Sequence, residues 1–124
     1  IVGEARSGDA LEALFSAMTT GHSGASTFHA ESPRDTVERV ITEMGMHSQA
    51  RPAEVQRTFA SAIDLHLQIG IRHDRRRVIS ISNVAKELKG GSVWFEPIWR
   101  YDENSTPDHP RWDKVGELAR AENH

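Results

Sequence analysis

The sequence predicts an α/β fold that ends in a small antiparallel sheet, because the pattern of apolar residues changes along the chain. Apolar residues recur at helical intervals after residues 9, 33 and 52, with a short β-compatible stretch between the first two segments. From residue 65 onward the period falls to two, which indicates strands. The first part therefore favours an α/β core with a partly parallel sheet, and the second part a hairpin appended to it.

Three helices are predicted from their start signals. The first spans roughly residues 9–19, with Asp9 as N-cap and Glu12 at capping-box spacing. Ser32-Pro33 begins the second, with Ser as N-cap and Pro at the first helical position. Pro52 begins the third. The apolar residues on these helices that we expect in the core are Leu11, Leu14, Phe15, Met18, Val37, Val40, Ile41, Met44, Val55, Phe59, Ala62 and Ile63.

The predicted strands are short. Residues 25–28 are β-compatible and are interpreted as a strand between the first two helices. Residues 65–71 alternate Leu or Ile with His, Gln and Gly, which predicts a half-buried strand. Residues 72–75 are predicted to form a turn, and the apolar residues of 78–81 predict a returning strand, so that the two strands would form a hairpin.

The C-terminal part has weaker signals. A third strand is predicted through residues 93–95. Residues 102–110 are polar and contain two prolines, so we expect a loop there. A short helix is predicted over residues 112–121.

Composition limits the possible functions. The chain has 124 residues, which suits one small domain, and its net charge of −3 argues against nucleic-acid binding by the whole chain. It contains no cysteine, so disulfides and thiolate zinc sites are excluded for this sequence. The chain opens with Ile1-Val2-Gly3-Glu4, which is typical of the end of a buried strand. We therefore expect the chain to be a fragment of a longer protein.

Glu4 is the first candidate for chemistry. A carboxylate just past a core strand lies at the carboxyl edge of the sheet, where open α/β sheets bind ligands. There it can hold a magnesium-bound water or orient an attacking water. The alternative interpretation is that Glu4 only begins a surface loop.

Two histidines in a glycine-containing stretch form the second candidate. Gly21 and Gly24 allow a tight loop that approaches a ligand closely. His29 follows a predicted strand, where an imidazole can donate a hydrogen bond to a phosphate oxygen. Alternatively, His22 and His29 only satisfy local backbone groups. A metal site is a further alternative, but the spacing of these two histidines does not match a common metal motif.

The basic run at residues 72–77 is the third candidate. Its arginines would suit a phosphate, either of a nucleotide or of a nucleic acid. A solvated turn is the alternative, and the run lacks interleaved aromatic residues for base stacking.

Taken together, these segments resemble the hexameric traffic ATPases of type II and type IV secretion, pilus assembly and conjugation, and in particular their CpaF-like branch. Gly3-Glu4-Ala5-Arg6 matches the end of the Walker B strand of that family. Residues 18–22, Met-Thr-Thr-Gly-His, and residues 29–35, His-Ala-Glu-Ser-Pro-Arg-Asp, match the following helix end and the His box. Residues 62–65 and 75–81 match a later strand, an arginine-rich turn and a returning strand.

The resemblance implies the C-terminal part of a RecA-like P-loop ATPase core that uses ATP and Mg²⁺. By this resemblance Glu4 is the catalytic carboxylate that holds Mg²⁺ through water, and His29 contacts the terminal phosphate. Arg6, Gly21 and His22 would shape the same nucleotide pocket. Residues 1–84 would belong to the ATPase domain and residues 85–124 to a divergent extension.

The resemblance also implies surroundings for the parent protein. We expect it to form a hexameric ring with itself, to bind secretion or pilus platform proteins of the inner membrane, and to be cytoplasmic and peripheral to that membrane through these partners. Direct nucleic-acid binding is not expected.

Three departures from the family pattern stand out. Asp74-Arg75 replaces the Asp-Gly that is frequent at the hairpin turn, and Asn83 replaces a common Glu. The sequence also contains no Gly-x-x-x-x-Gly-Lys-Ser/Thr loop, the element that cradles phosphates. We therefore expect this chain alone to be inactive, with the loop supplied by the parent. The alternative is a non-catalytic interaction or assembly module of a secretion complex.

Overall fold

The computed structural model describes residues 7–119, in which helices precede a four-stranded antiparallel sheet. The elements are α1 (Gly8–Thr19), α2 (Pro33–Ser48), α3 (Pro52–Ala62), β1 (Leu65–Arg72), β2 (Arg75–Val84), β3 (Phe95–Tyr101) and β4 (Trp112–Lys114). The strands lie in the order β1-β2-β3-β4, and each is antiparallel to its neighbour. The mixed α/β class is thus confirmed, whereas the sheet has no parallel pair within residues 7–119. No helix in this range is long and apolar enough to cross a membrane.

Two of the three predicted helix starts are confirmed. The Ser32 hydroxyl accepts a hydrogen bond from the Asp35 N–H at 3.0 Å and so caps α2, with Pro33 at the first position. Pro52 occupies the first position of α3, as predicted. The residue before it, Arg51, makes no capping hydrogen bond with its side chain.

The start of α1 differs from the prediction. Ser7, and not Asp9, is the N-cap, and its hydroxyl accepts a hydrogen bond from the Ala10 N–H at 3.3 Å. Asp9 and Glu12 instead contact α2, since their carboxylate oxygens lie 3.0 and 2.9 Å from Nε2 of His47. The spacing of Asp9 and Glu12, which predicted a capping box, instead reflects a contact between α1 and α2. The sequence alone does not distinguish these two arrangements.

A close approach of two helices explains the buried glycine at the start of α1. A Cβ atom at Gly8 would overlap the Cβ of His47 on α2. The absence of a side chain therefore allows α1 to approach α2 closely enough for the His47 contact with Asp9 and Glu12. We expect any larger residue at this position to separate the two helices.

The predicted apolar stripes meet in one core. Phe15 of α1 and Phe59 of α3 pack edge to face with ring centres 6.1 Å apart, and Phe95 of β3 packs on Phe59 at 6.2 Å. The buried members of this core are Leu11, Leu14, Phe15, Val37, Val40, Met44, Val55, Phe59, Ala62, Val84 and Val93. Burial of these side chains provides the main stabilising term of the fold.

The predicted hairpin is confirmed as β1 and β2. Its two central turn residues, His73 and Asp74, both have positive φ values of 53° and 62°. A two-residue turn with both φ values positive matches the twist of the strands that it joins. The pairing is interrupted by an irregularity after Gln68, and β2 and β3 show a second one after Ile81.

The predicted half-buried strand has its polar side inward. Gln68 is buried, and its amide nitrogen donates to the Ala30 carbonyl at 2.9 Å. His66, on the same side, has Nε2 3.3 Å from Oγ1 of Thr36. The apolar residues Leu67 and Ile69 are therefore exposed on the opposite side. The alternation correctly predicted the half-buried strand, and its more buried side is the one that carries His66 and Gln68.

The predicted C-terminal helix is wrong over the described part, because Trp112–Lys114 forms β4. Trp112 donates from Nε1 to the Val78 carbonyl at 2.7 Å and packs edge to face on Tyr101 at 5.8 Å. These tertiary contacts fix the segment in the sheet. Beyond it, the Asn83 side chain donates to the Glu117 carbonyl at 2.8 Å and accepts from the Ala119 N–H at 3.0 Å.

Other strand predictions are partly met. The expected strand at residues 25–28 is reduced to one bridge residue, Thr27, and the third strand begins only at Phe95. Residues 102–110 contain no helix or extended strand, as expected for a loop.

Candidate functional site

A cleft in the described structure lies beside His29, at the start of α2. Its volume is about 650 Å³. The residues that line it are Phe28, His29, Asp35, Glu38, Arg39, Thr42 and Glu43. His29 is the one predicted site residue within 7–119 that lines this cleft. The cleft is thus formed by the His-box stretch and one face of α2.

The first turn of α2 fixes the chain that follows His29. Asp35 accepts hydrogen bonds at its Oδ2 from the Glu31 N–H and from Nε of Arg39, each at 2.9 Å. Ser32 caps the same turn. The Glu31 hydrogen bond and then the Arg39 contact lower the pKa of Asp35 below its ordinary value, so this carboxylate stays charged at neutral pH.

His29 is exposed at this position. The Asp35 contacts hold the turn that begins three residues later, and His29 lines the cleft beside this turn. An imidazole can donate to an anionic oxygen in either protonation state. Arg39 lines the same cleft, and its charge is balanced by Asp35 through their ion pair.

Gly21 and His22 lie at the end of α1. Gly21 has a φ of 89°, a conformation that favours glycine. The His22 N–H donates to the Ala17 carbonyl at 3.1 Å, and its Nδ1 lies 3.3 Å from Oγ1 of Thr20. Neither Gly21 nor His22 lines the cleft beside His29. A pocket shared by His22 and His29 remains a prediction.

Glu4 and Arg6 lie outside the described residues. The predicted convergence of the Glu4 carboxylate with His29, and the role of Glu4 in holding Mg²⁺ through water, therefore remain predictions. Within residues 7–119 no group of three or more His, Asp or Glu side chains is arranged to hold a metal ion.

Two arginines of the basic run at residues 72–77 contact the loop at residues 102–110. Arg72 donates from Nε to the Glu103 carboxylate at 2.8 Å, and Arg77 donates from Nη2 to the Pro107 carbonyl at 3.3 Å. Arg75 and Arg76 are exposed at the tip. The loop at residues 102–110 thus binds two of the four arginines, a contact that sequence reasoning did not predict.

A smaller cleft of about 300 Å³ was also not predicted. It lies between the start of α2 and the segment before β3, where Val37 and Phe95 contribute apolar surface and Arg34 and Glu38 charge. Trp94 lines it with 47% of its surface exposed, and Nζ of Lys89 lies 5.0 Å from the Trp94 ring centre. Three tryptophans in the last third of the sequence were the one available signal for such a surface.

Comparison with known proteins gives one family. The model of the family described as "Type II/IV secretion system protein" matches residues 1–79. The match covers the predicted Walker B end, α1, the His29 stretch, α2, α3, β1 and the first part of β2. No curated protein matches the chain.

Proposed function

The chain belongs to the type II/IV secretion system protein family, a family of secretion ATPases, and on this basis we propose a more specific role for it. It is the C-terminal portion of a RecA-like motor domain of the CpaF-like branch. In the parent protein this domain couples ATP hydrolysis to macromolecular transport in secretion, pilus assembly or conjugation. The parent works as a hexameric ring.

The observation that carries the proposal is the position of His29 within the region that matches the family. The His29 stretch leads directly into the capped start of α2, and His29 lines the cleft formed beside it. Phosphoryl transfer depends mainly on positioning and on stabilising charge. An imidazole can donate a hydrogen bond to a phosphate oxygen, and by the family membership we assign this role to His29.

Each of the other predicted residues has a distinct proposed role. Glu4 orients the attacking water and holds the hydration shell of Mg²⁺. Mg²⁺, when bound, supplies positive charge to the phosphate oxygens. Arg6, Gly21 and His22 shape the same pocket. The positive φ of Gly21 lets the backbone approach the bound nucleotide closely there.

The proposed surroundings follow from the family. The parent protein binds platform proteins of a secretion or pilus system and is cytoplasmic, held at the inner membrane by these partners. The phosphate-binding loop is supplied by the parent, and the 124-residue chain alone does not hydrolyse ATP.

Replacement of Glu4 by Gln in the protein that also carries the phosphate-binding loop tests this function. We expect turnover to fall by orders of magnitude while the dissociation constant for ATP changes little, because the orientation of the attacking water matters mainly in the transition state. Steady-state phosphate release and nucleotide titration measure the two effects.

The matched control is Glu12→Gln, which removes an exposed carboxylate on α1 that contacts His47. Its turnover should equal that of the unchanged protein. Full activity of the Glu4→Gln protein would remove Glu4 from this role. A parent protein without the phosphate-binding loop would instead favour a non-catalytic assembly module.

A further inference from the structure

Gln68 is a buried amide side chain in the middle of β1, on the same side of the strand as His66. It is 8% exposed, and its amide nitrogen donates a hydrogen bond to the Ala30 carbonyl at 2.9 Å, 38 residues earlier in the chain. Burial of an amide costs free energy unless the group is hydrogen-bonded, whereas an apolar side chain needs no partner. The bond to Ala30 is therefore the feature that a glutamine adds at this position.

The Ala30 carbonyl and the Glu31 N–H belong to one peptide unit, and both of these polar groups are bound. The carbonyl accepts from Gln68 of β1, and the N–H donates to Oδ2 of Asp35 in the first turn of α2, each at 2.9 Å. A trans peptide unit is planar, and its carbonyl and N–H point in opposite directions. The two bonds therefore hold this plane from both sides, directly after His29.

The chain at His29 belongs to no regular element, since residues 28–30 are in neither a helix nor a strand. The backbone groups of such a segment depend on bonds from other parts of the chain. A second polar contact ties β1 to α2 beside the Gln68 bond, because Nε2 of His66 lies 3.3 Å from Oγ1 of Thr36. β1 thus contacts both the stretch after His29 and the helix that follows it.

The two bonds of this peptide unit differ in origin. Asp35 lies three residues after the N-cap Ser32, where acidic side chains reach back to N–H groups that precede a helix. The Gln68 bond instead joins distant parts of the chain. The pairing of β1 with β2 is also irregular directly after Gln68, because Ile79 has no partner in the register. Irregularities of this kind change the direction of nearby side chains and are frequent next to active sites.

We propose that Gln68 is a positioning residue for His29. It holds the peptide unit after His29 against β1, and this restricts the directions that the imidazole takes at the wall of the cleft. Gln68 does not itself line the cleft, so it acts through the backbone at Ala30. The inference rests on the proposed function, in which His29 contacts the terminal phosphate of ATP.

Gln68→Met in the protein that carries the phosphate-binding loop tests this role. Methionine has an unbranched side chain of similar length, so it fills the same space but cannot donate to Ala30. We expect kcat to fall at least about threefold but no further than in His29→Ala, because a misplaced group loses only its own contribution. KM for ATP should change little, since the contact matters mainly in the transition state. Phosphate release over a range of ATP concentrations measures both constants.

A double variant separates positioning from a loss of stability. In a protein that already carries His29→Ala, Gln68→Met should leave kcat unchanged, because the side chain that Gln68 positions is gone. A purely structural role of Gln68 would lower kcat by the same factor with and without His29. Equal factors in the two backgrounds would overturn the proposal.

Asn83→Leu is the matched control. Asn83 is 7% exposed on the neighbouring strand β2, and its amide nitrogen donates to the Glu117 carbonyl at 2.8 Å, 34 residues away in the sequence. The variant therefore removes a buried bond of the same kind that does not involve the His29 stretch. Both variants should unfold at a lower temperature than the unchanged protein, but Asn83→Leu should keep its kcat. A fall in kcat as large as in Gln68→Met would contradict the proposal.

Gln68→Asn keeps the proposal testable if Gln68→Met fails to fold. It retains a buried amide but withdraws the donor from Ala30 by one methylene group, and kcat should again fall only when His29 is present. If His29→Ala leaves kcat unchanged, the proposed function of His29 fails. If His29→Ala lowers kcat while every folded Gln68 variant keeps it, the proposed function stands and the role of Gln68 is refuted.

Discussion

At the residue scale, His66 is a partly buried histidine that contacts both α2 and β3. Its Nε2 lies 3.3 Å from Oγ1 of Thr36, and its ring packs edge to face on Phe95 at 5.3 Å. Its Nδ1 is buried without a hydrogen-bond partner among the described residues. Burial lowers the pKa of His66 below its ordinary value of 6.5, because the charged imidazolium is poorly solvated there.

This environment predicts a pH dependence of stability. The unfolded chain binds a proton at His66 near pH 6.5, whereas the folded chain binds it only at lower pH, so the free energy of unfolding falls as pH drops below 6.5. In His66→Gln this fall should be smaller. Urea unfolding at pH 7.5 and pH 5.5 measures it, with the exposed His109→Gln as control. Equal pH dependence in His66→Gln and the unchanged chain would contradict the argument.

At the element scale, local signals predicted helices and the hairpin well. Ser32-Pro33 and Pro52 marked two helix starts, and alternation over residues 65–71 marked β1. These features depend on residues close in sequence, such as the hydrogen bond between Ser32 and Asp35. The hairpin turn formed at His73-Asp74 without glycine, because Asp tolerates positive φ better than most residues.

Elements fixed by distant contacts were not predicted. Trp112 joins the sheet through Tyr101 and the Val78 carbonyl, both far away in sequence, where a helix was expected. The buried side of β1 was also missed. It is set by partners of His66 and Gln68 that lie 30 and 38 residues earlier, and no local pattern encodes these contacts. The candidate site shows the same division, since the His29 stretch was found but the cleft that α2 forms beside it was not.

The cap of α2 supports a prediction at this scale. Ser32→Ala removes the oxygen that accepts the Asp35 N–H and should lower the free energy of unfolding by about 1 kcal/mol. Thermal or urea unfolding measures the change. Ser23→Ala, an exposed serine in the loop after α1, should have little effect. If the two variants were equally stable, the cap would not contribute to folding.

At the scale of the whole molecule, the family match and the sheet extend over different parts of the chain. The match ends at residue 79, whereas β2 continues to Val84 and pairs with β3, which in turn pairs with β4. Residues beyond the match thus share one sheet with residues inside it. The division into an ATPase part at 1–84 and an extension at 85–124 remains a prediction, as does the pairing of Glu4 with His29 around a nucleotide.

The central claim is that His29 acts on the terminal phosphate, and turnover of His29→Ala in the protein that carries the phosphate-binding loop tests it most directly. We predict a fall in kcat of about ten- to a hundredfold, smaller than that of Glu4→Gln, because one charge-stabilising donor is lost. His109→Ala, in the loop between β3 and β4, should keep full activity. An unchanged kcat in His29→Ala would contradict the account.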